Sequence, residues 1–427
     1  MNGRSFLLAG CVLAVAIAAQ EPSPLEGLVT IAKARAERQR PVQQKALEPF
    51  LNDLSLEYKL NQELLDRRIP EAAALGDGIV PLLLEHMTPK EDSQAARYLA
   101  ANSARVLKLI DPAGFVEALV EIAGGKSETG RLWSLWLLGA TRSTAAAQAI
   151  TQLLPNLKGR DLVQAIESLG ALAYAPAAPQ LAAFVLHPDK RLREAAIGYL
   201  TAVRQPDAVA EVVKALPVEN DPDLVALHIG YLELTARENA AAATAILPLL
   251  SADRFDREQL TAICRALATI APKNHPATLK ALKTIVERQE IGALGRAAAL
   301  TMRELGDKSG VKTLLENLQR HVNDRRRDSV AYEMRGEAYL MIGKYDEAVH
   351  DLKEAIRFTN SSSYASTLWL QIARCEARRE RWPAVKTAFV ESRANLETLT
   401  REIARQPELQ RAMESETVRR YVESLKR

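Results

Sequence analysis

Residues 166–200 read IESLGALAYAPAAPQLAAFVLHPDKRLREAAIGYL, and they contain one full period of the pattern that dominates this chain. Leu169 and Leu200 lie 31 residues apart, and each is the centre of an i, i+3, i+6 apolar stripe of the kind found on one face of an α-helix. The pattern recurs in steps of 31, 31, 31, 32, 35 and 35 residues at Leu107, Leu138, Leu169, Leu200, Leu232, Leu267 and Met302. Such a period predicts an α-solenoid, in which each unit buries its apolar face by stacking on the next.

Each period is predicted to be a helical hairpin. Turn residues that end the first helix follow the anchor, at Asp111-Pro112, Gln205-Pro206, Ala271-Pro272 and Gly306-Asp307. A second apolar position comes twelve residues after the anchor, at Leu119, Ile150, Leu181, Val212, Leu279 and Leu314. In the Leu232 repeat Thr244 occupies that position, so Ile246 is predicted to replace it. The pattern predicts about eight hairpins between residues 57 and 326.

Composition supports thin packed helices and gives no sign of a nucleic-acid partner. The chain has 427 residues, of which 48% are hydrophobic and only 5% aromatic. Its 56 basic and 53 acidic residues leave a net charge of +3, which is too small an excess for a groove that binds phosphates. We therefore expect protein partners and no nucleic acid.

The N-terminus is predicted to be an export signal spanning residues 1–19. Arg4 supplies the positive charge, residues 6–19 are apolar, and Ala16-Ile17-Ala18 offers a small-residue cleavage site. Fourteen residues are too few to span a bilayer comfortably. We expect an exported protein, in the bacterial periplasm, with a helical segment over residues 20–56. The Asn360-Ser361-Ser362 sequon leaves a eukaryotic secreted origin open.

An alternative for the same segment is a lipid anchor. The sequence Leu8-Ala9-Gly10-Cys11 resembles a bacterial lipoprotein box. The apolar run continues beyond Cys11, whereas lipoproteins usually become polar there. Membrane association is expected only if Cys11 is lipidated or the signal segment stays uncleaved.

The central array resembles HEAT-like repeats of the phycobilisome-lyase type. The stretch His187-Pro188-Asp189-Lys190-Arg191-Leu192-Arg193-Glu194-Ala195-Ala196 is similar to the opening of such a repeat, and Leu305-Gly306-Asp307 to its inter-helix turn. The resemblance covers roughly residues 57–326 and implies an α-α superhelix. Some relatives attach or detach a bilin on a partner's cysteine, so it also implies an alternative: an accessory factor or lyase acting on a protein-bound cofactor.

Residues 327–427 resemble a different unit, the tetratricopeptide (TPR) repeat, followed by capping helices after Asn395. The TPR signature positions are Tyr332, Gly336, Tyr339, Gly343, Tyr345, Ala348, Leu352 and Ala355. Small residues at these positions let two helices approach closely. The TPR clamp that holds a partner's C-terminal carboxylate is not expected here, because its inward positions are Glu333, Met334 and Glu337.

No catalytic or metal-binding motif is present. The six histidines are scattered, and no nucleotide-binding loop or nucleophile motif occurs. His228 is predicted to be a hydrogen-bonded, partly buried side chain, and Cys264 and Cys375 to be buried thiols that form no disulfide. We therefore expect no cofactor, no metal and no enzymatic activity.

Trp133 and Trp136 are the candidate partner-binding residues. They precede the anchor Leu138 by five and two residues, which places them about 140° and 160° away from the buried stripe. Equivalent positions in other repeats, such as Asn102 and Arg105, are small or polar. Two outward tryptophans predict a protein-binding patch; the alternative is that residues 24–60 cover them. The sequence thus predicts an exported, non-catalytic scaffold or adaptor, involved in assembly or maintenance of an envelope complex.

Overall fold

A computed structural model describes residues 40–251, 253, 255–288 and 291–426. The predicted signal segment, Cys11 and residues 20–39 lie outside this range. The described residues form α-helices joined by turns and short 3-10 segments, and they contain no strand, so the predicted all-α class is confirmed. None of these helices is long and apolar enough to cross a lipid bilayer.

The helices are numbered in chain order. They comprise residues 40–54 (α1), Gln62–Ala73 (α2), Val80–Met87 (α3), Gln94–Ile110 (α4), Val116–Ala123 (α5), Glu128–Ala140 (α6), Thr144–Leu153 (α7), Gly159–Ala171 (α8), Ala178–Leu181 (α9), Lys190–Val203 (α10), Val209–Ala215 (α11), Pro222–Thr235 (α12), Ala240–Ile246 (α13), Arg257–Ile270 (α14), Pro276–Glu287 (α15), Ala293–Glu304 (α16), Ser309–Asp324 (α17), Ser329–Met341 (α18), Tyr345–Phe358 (α19), Ser362–Arg378 (α20), Trp382–Ser392 (α21), Leu396–Arg405 (α22), Pro407–Ala412 (α23) and Glu416–Ser424 (α24).

The described residues divide into two compact units, one that ends at Gln164 and one that begins at Ala165, with the boundary inside α8. In the first unit, α2 packs on α4 and α4 on α6. In the second, the first helices α10, α12, α14 and α16 pack in sequence, and so do the second helices α11, α13, α15 and α17. This order, first helix on first helix and second on second, is that of a repeat array. The change of repeat type at residue 326 stays a prediction.

The predicted ladder forms the core of these hairpins. All seven anchors, from Leu107 to Met302, are 0% exposed. The second-helix anchors are buried as well, with Ile246 in place of the exposed Thr244 as predicted. The prediction of Leu279 is wrong, because this residue is half-buried and Leu282 is 0% exposed instead. Helix α15 begins with Pro276 directly after His275, and this start sets which of its residues face the core.

Side-chain caps fix where the first helices begin. The N-cap side chain accepts a hydrogen bond from a backbone N–H of the first turn at Ser93, Ser127, Asp189, Asp221 and Asp256. Each such cap stabilises its helix by about 1 kcal/mol, since it satisfies a donor that the helix leaves free.

Arginines in one register position join neighbouring repeats. Arg131 and Arg193 each lie seven residues before an anchor. Arg131 donates from Nε to Asp161 at 2.6 Å, and Arg193 donates from Nε to Glu219 at 2.7 Å. Each arginine also donates to two carbonyls of the loop that precedes its helix. These charge-assisted contacts, which are partly buried, connect the loop to the next repeat.

In the C-terminal part, α18 and α19 form a tight hairpin. A Cβ at Gly336 would lie 3.1 Å from Leu352 Cγ and 3.3 Å from the Ala348 carbonyl oxygen, so glycine lets the two helices approach more closely than a larger residue would. Arg335 and Asp351 form a buried, two-pronged ion pair across the hairpin, at 2.6 and 2.7 Å. Helices α22 to α24 contribute Leu399, Leu409, Val418 and Val422 to the same core.

Candidate partner-binding cleft

A cleft of about 860 Å³ lies within the first unit. Its walls come from the turn that precedes α2, from the outer face of α4, from the loop at Pro89, and from the first turns of α6 and α8. Trp133 is part of the lining. A cavity of this size is typical of sites that take a small molecule or several side chains of a polypeptide.

Asn102 on α4 fixes the wall formed by residues 54–60. Its buried amide donates to the carbonyl oxygens of Leu54 and Leu56 at 2.8 and 2.9 Å. These carbonyls follow the end of α1, where the helix can no longer supply partners for them. The amide oxygen of Asn102 accepts a hydrogen bond from Nη1 of Arg105 at 3.0 Å. One buried side chain therefore positions both the wall and the arginine.

Arg105 contacts two aromatic rings. Its Cζ is 4.5 Å from the ring centroid of Tyr58 and 5.5 Å from that of Trp133. Trp133 in turn contacts Trp136 edge-on, with ring centroids 5.7 Å apart, and Lys108 Nζ lies 4.8 Å from the Trp136 ring. We call Tyr58, Arg105, Trp133, Trp136 and Lys108 the aromatic–cationic stack. Each cation–ring contact of this kind contributes about 0.5–1 kcal/mol at partly exposed sites.

The guanidinium of Arg105 has no carboxylate partner among the described residues, although its side chain is half-buried. Burial lowers its pKa from the usual range, and it stays protonated at any physiological pH. Nearby acids are engaged elsewhere, since Tyr98 donates to Glu57 at 2.8 Å and Arg97 pairs with Asp92 at 2.7 Å. The cleft therefore contains a fixed positive charge that no described residue neutralises.

Asp161, in the first turn of α8, has one carboxylate oxygen that accepts a hydrogen bond and one without a partner among the described residues. Its Oδ2 accepts from Arg131 Nε at 2.6 Å. Its buried Oδ1 has no hydrogen-bond partner among the described residues, and the residue is 6% exposed. An unsatisfied buried acceptor is costly.

The structure brings the two predicted site residues together and leaves both half-buried. They are neither fully exposed nor fully buried, and residues 24–39 of the predicted covering segment lie outside the described range. Neither Arg105 nor Tyr58 was predicted as a site residue. Arg105 precedes its anchor by two residues, as the exposed Arg265 does, so nothing in the sequence distinguishes the two arginines.

The remaining candidate groups for chemistry are buried. Burial raises the pKa of Cys264 and of Cys375 to about 12, so neither thiol is a nucleophile at neutral pH, and both are free and buried as predicted. Within the described ranges, no three His, Cys, Asp or Glu side chains are grouped as metal ligands.

His228 contradicts its prediction. The side chain is 0% exposed, but neither ring nitrogen has a hydrogen-bond partner in the described part of the chain. Burial lowers its pKa to about 4, while the Glu219 charge acts upward and the Arg193 charge downward. The imidazole is therefore buried in its neutral form, with two unsatisfied polar atoms.

The inward face of α18 carries interacting acids. Glu333 accepts from the Tyr364 hydroxyl and from Gln371 Nε2, the latter at 2.9 Å. Glu337 pairs with Arg296 Nη2 at 3.1 Å, and burial raises its pKa. Glu333 and Glu337, at two of the predicted inward positions, are therefore engaged by contacts within the second unit.

Comparison with known proteins gives helical-repeat structures. No family model matches the chain, and no curated protein matches it. A chain of the complex of CpcE and CpcF of phycocyanin lyase from Nostoc sp. PCC7120 is similar at 21% identity over 55% of this chain and 85% of that one, with a TM-score of 0.28. A chain from a structure of the cadherin–beta-catenin interaction is similar at 13% identity over 88% and 90%, with a TM-score of 0.41.

Proposed function

We propose that this protein is a non-catalytic scaffold or adaptor that binds another protein through the cleft of its first unit. One observation carries the proposal: Tyr58, Arg105 and Trp133 of the aromatic–cationic stack line an open cleft. Tryptophan, tyrosine and arginine are the residue types enriched at the energetic centres of protein interfaces. Their side chains here are held in place by packing and by Asn102, so little ordering entropy is lost when a partner binds.

We also propose the repeat types and the location of the chain. HEAT-like repeats form the array over residues 57–326, and a TPR-like module with capping helices extends it. The chain is exported through residues 1–19 and acts in the periplasm in assembly or maintenance of an envelope complex; the alternative is a lipid-anchored form through Cys11. The apolar segment and its small-residue cleavage site support export. Mass spectrometry of the mature N-terminus distinguishes cleavage near Ala19 from lipidation of Cys11.

The test is a quantitative co-purification of the tagged full chain from its native envelope fraction after crosslinking. Trp133→Ala combined with Trp136→Ala is expected to reduce recovery of a stoichiometric partner at least tenfold, because each hot-spot aromatic contributes about 2 kcal/mol. The control is Leu227→Ala combined with Leu234→Ala, which removes two other exposed apolar side chains, 41% and 51% exposed, on α12. Equal recovery with both double variants would exclude the cleft, and a lower melting temperature of the tryptophan variant would assign the pair a structural role.

A further inference from the structure

We infer that the cleft takes an acidic polypeptide segment of the partner and that Arg105 binds one of its carboxylates. This inference rests on the proposed function, because it names the chemistry of the partner at the same site. A guanidinium offers five N–H donors in one plane, and Arg105 uses one of them for Asn102. A carboxylate suits the remaining donors, since it can accept two parallel hydrogen bonds.

Two aromatic rings contact Arg105 and favour a carboxylate as its ligand. Tyr58 and Trp133 hold the guanidinium plane and limit its rotation, at 4.5 and 5.5 Å from Cζ. They also exclude part of the water that would otherwise screen its charge. A carboxylate bound there would lie beside apolar ring surface, so an acidic residue with an apolar or aromatic neighbour fits the cleft best.

The other charges of the cleft lining point to the same ligand. Four cations of the lining have no carboxylate partner among the described residues, whereas only two of its acids lack a cationic partner. The cations are Lys59, Lys90, Arg105 and Arg160, and the acids are Glu57 and Glu128. The positive excess attracts an acidic segment and raises its association rate at low salt.

The stretch of the chain directly before α1 does not have this chemistry. Residues 33–39 read KARAERQ and contain three cations and one acid. Like charges oppose its entry into a cleft of positive excess. A partner segment is therefore favoured over this stretch as occupant of the cleft.

The experiment uses a phage-displayed library of random ten-residue peptides, selected against the full chain. Peptides rich in Asp and Glu next to apolar residues are expected. For the best peptide, Arg105→Gln should weaken binding about tenfold, the usual effect of losing a hydrogen bond to a charged group. Arg265→Gln is the matched control, because Arg265 occupies the same position of its repeat and is exposed; its effect should stay below about twofold.

A peptide with amides in place of its acids makes the test independent of the folding of any variant. Replacing the acids by amides should weaken peptide binding to the wild-type chain about tenfold. It should weaken binding to the Arg105→Gln variant little further, because both changes remove the same interaction. Arg105→Lys, which keeps the charge, should lie between wild type and Arg105→Gln.

The outcomes separate the two proposals. Peptides that depend on Trp133 but show no preference for acids would overturn the inference and leave the proposed function standing. Basic peptides would overturn it in favour of the chain's own segment, and Arg105-dependent binding of a ten-nucleotide RNA would overturn it in favour of nucleic acid. Selection of no peptide that depends on the tryptophans would count against both.

Discussion

Protonation of His228 is expected to destabilise its repeat as the pH falls from 7 to 5. The group has a pKa of about 4 in the folded chain and a reference value of 6.5, because burial excludes the charged form. The unfolded chain thus binds a proton that the folded chain does not, so the stability is fully present above pH 6.5 and is lost as the pH falls towards 4.

The two pKa values give the size of this effect. Between pH 7 and pH 5 the linkage relation yields a loss of about 2 kcal/mol, and the complete loss below pH 4 is about 3 kcal/mol. Replacing the imidazole by an apolar side chain of similar size, His228→Leu, removes both the titration and the two unsatisfied nitrogens. The variant should therefore be as stable as wild type or more stable at pH 7, and its advantage should grow by about 2 kcal/mol at pH 5.

Urea unfolding followed by circular dichroism at pH 7, 6 and 5 measures the difference between the two chains. Taking the difference removes the contribution of other titrating groups. His350→Gln is the control, since His350 is exposed, and its stability should follow that of wild type. A constant difference between wild type and His228→Leu across this range would refute the reasoning, and so would a nuclear magnetic resonance titration that gives His228 a pKa near 6.5.

Three further changes test other parts of the structure. Arg335→Ala leaves the 1%-exposed Asp351 without its partner and should lower the free energy of unfolding in urea by about 3–5 kcal/mol. Breaking an exposed pair such as Lys312–Glu316 should lower it by under about 1 kcal/mol. Gly336→Ala should lower stability by about 1–3 kcal/mol in the same assay, because its Cβ would meet the backbone of α19. Cys264 and Cys375 should react with a thiol reagent at pH 8 only after urea is added, since burial raises their pKa to about 12; rapid reaction of the folded chain would contradict this.

The ladder was predictable because its information is local. Apolar spacing at i, i+3 and i+6 and the stop signals at Asp111 and Gln205 depend only on neighbours in the sequence, and the seven anchors are all buried. The prediction of Leu279 as a second-helix anchor was wrong for a structural reason. The count of twelve residues assumes a constant turn, and the start of α15 at Pro276 changes which residues point inward.

The candidate site was only half predictable. The register of the repeat singled out Trp133 and Trp136, because large aromatic residues are unusual at those positions. The contact between Tyr58 and Arg105 depends instead on how α4 packs against the turn that follows α1, which no local pattern records. The prediction that His228 is hydrogen-bonded was wrong for a similar reason. Whether a buried imidazole has a hydrogen-bond partner depends on side chains of other helices.

The second helices of the later repeats are longer than those before them. Helices α11 and α13 have 7 residues each, α15 has 12 and α17 has 16. A longer helix repays the entropic cost of its first turn with more hydrogen bonds and more apolar surface. In a quasi-one-dimensional array, folding begins in the units that nucleate most easily and spreads to their neighbours. Among the repeats from Leu200 to Met302, folding is therefore expected to start at those of Leu267 and Met302 and to spread from there to the shorter repeats that precede them in the chain.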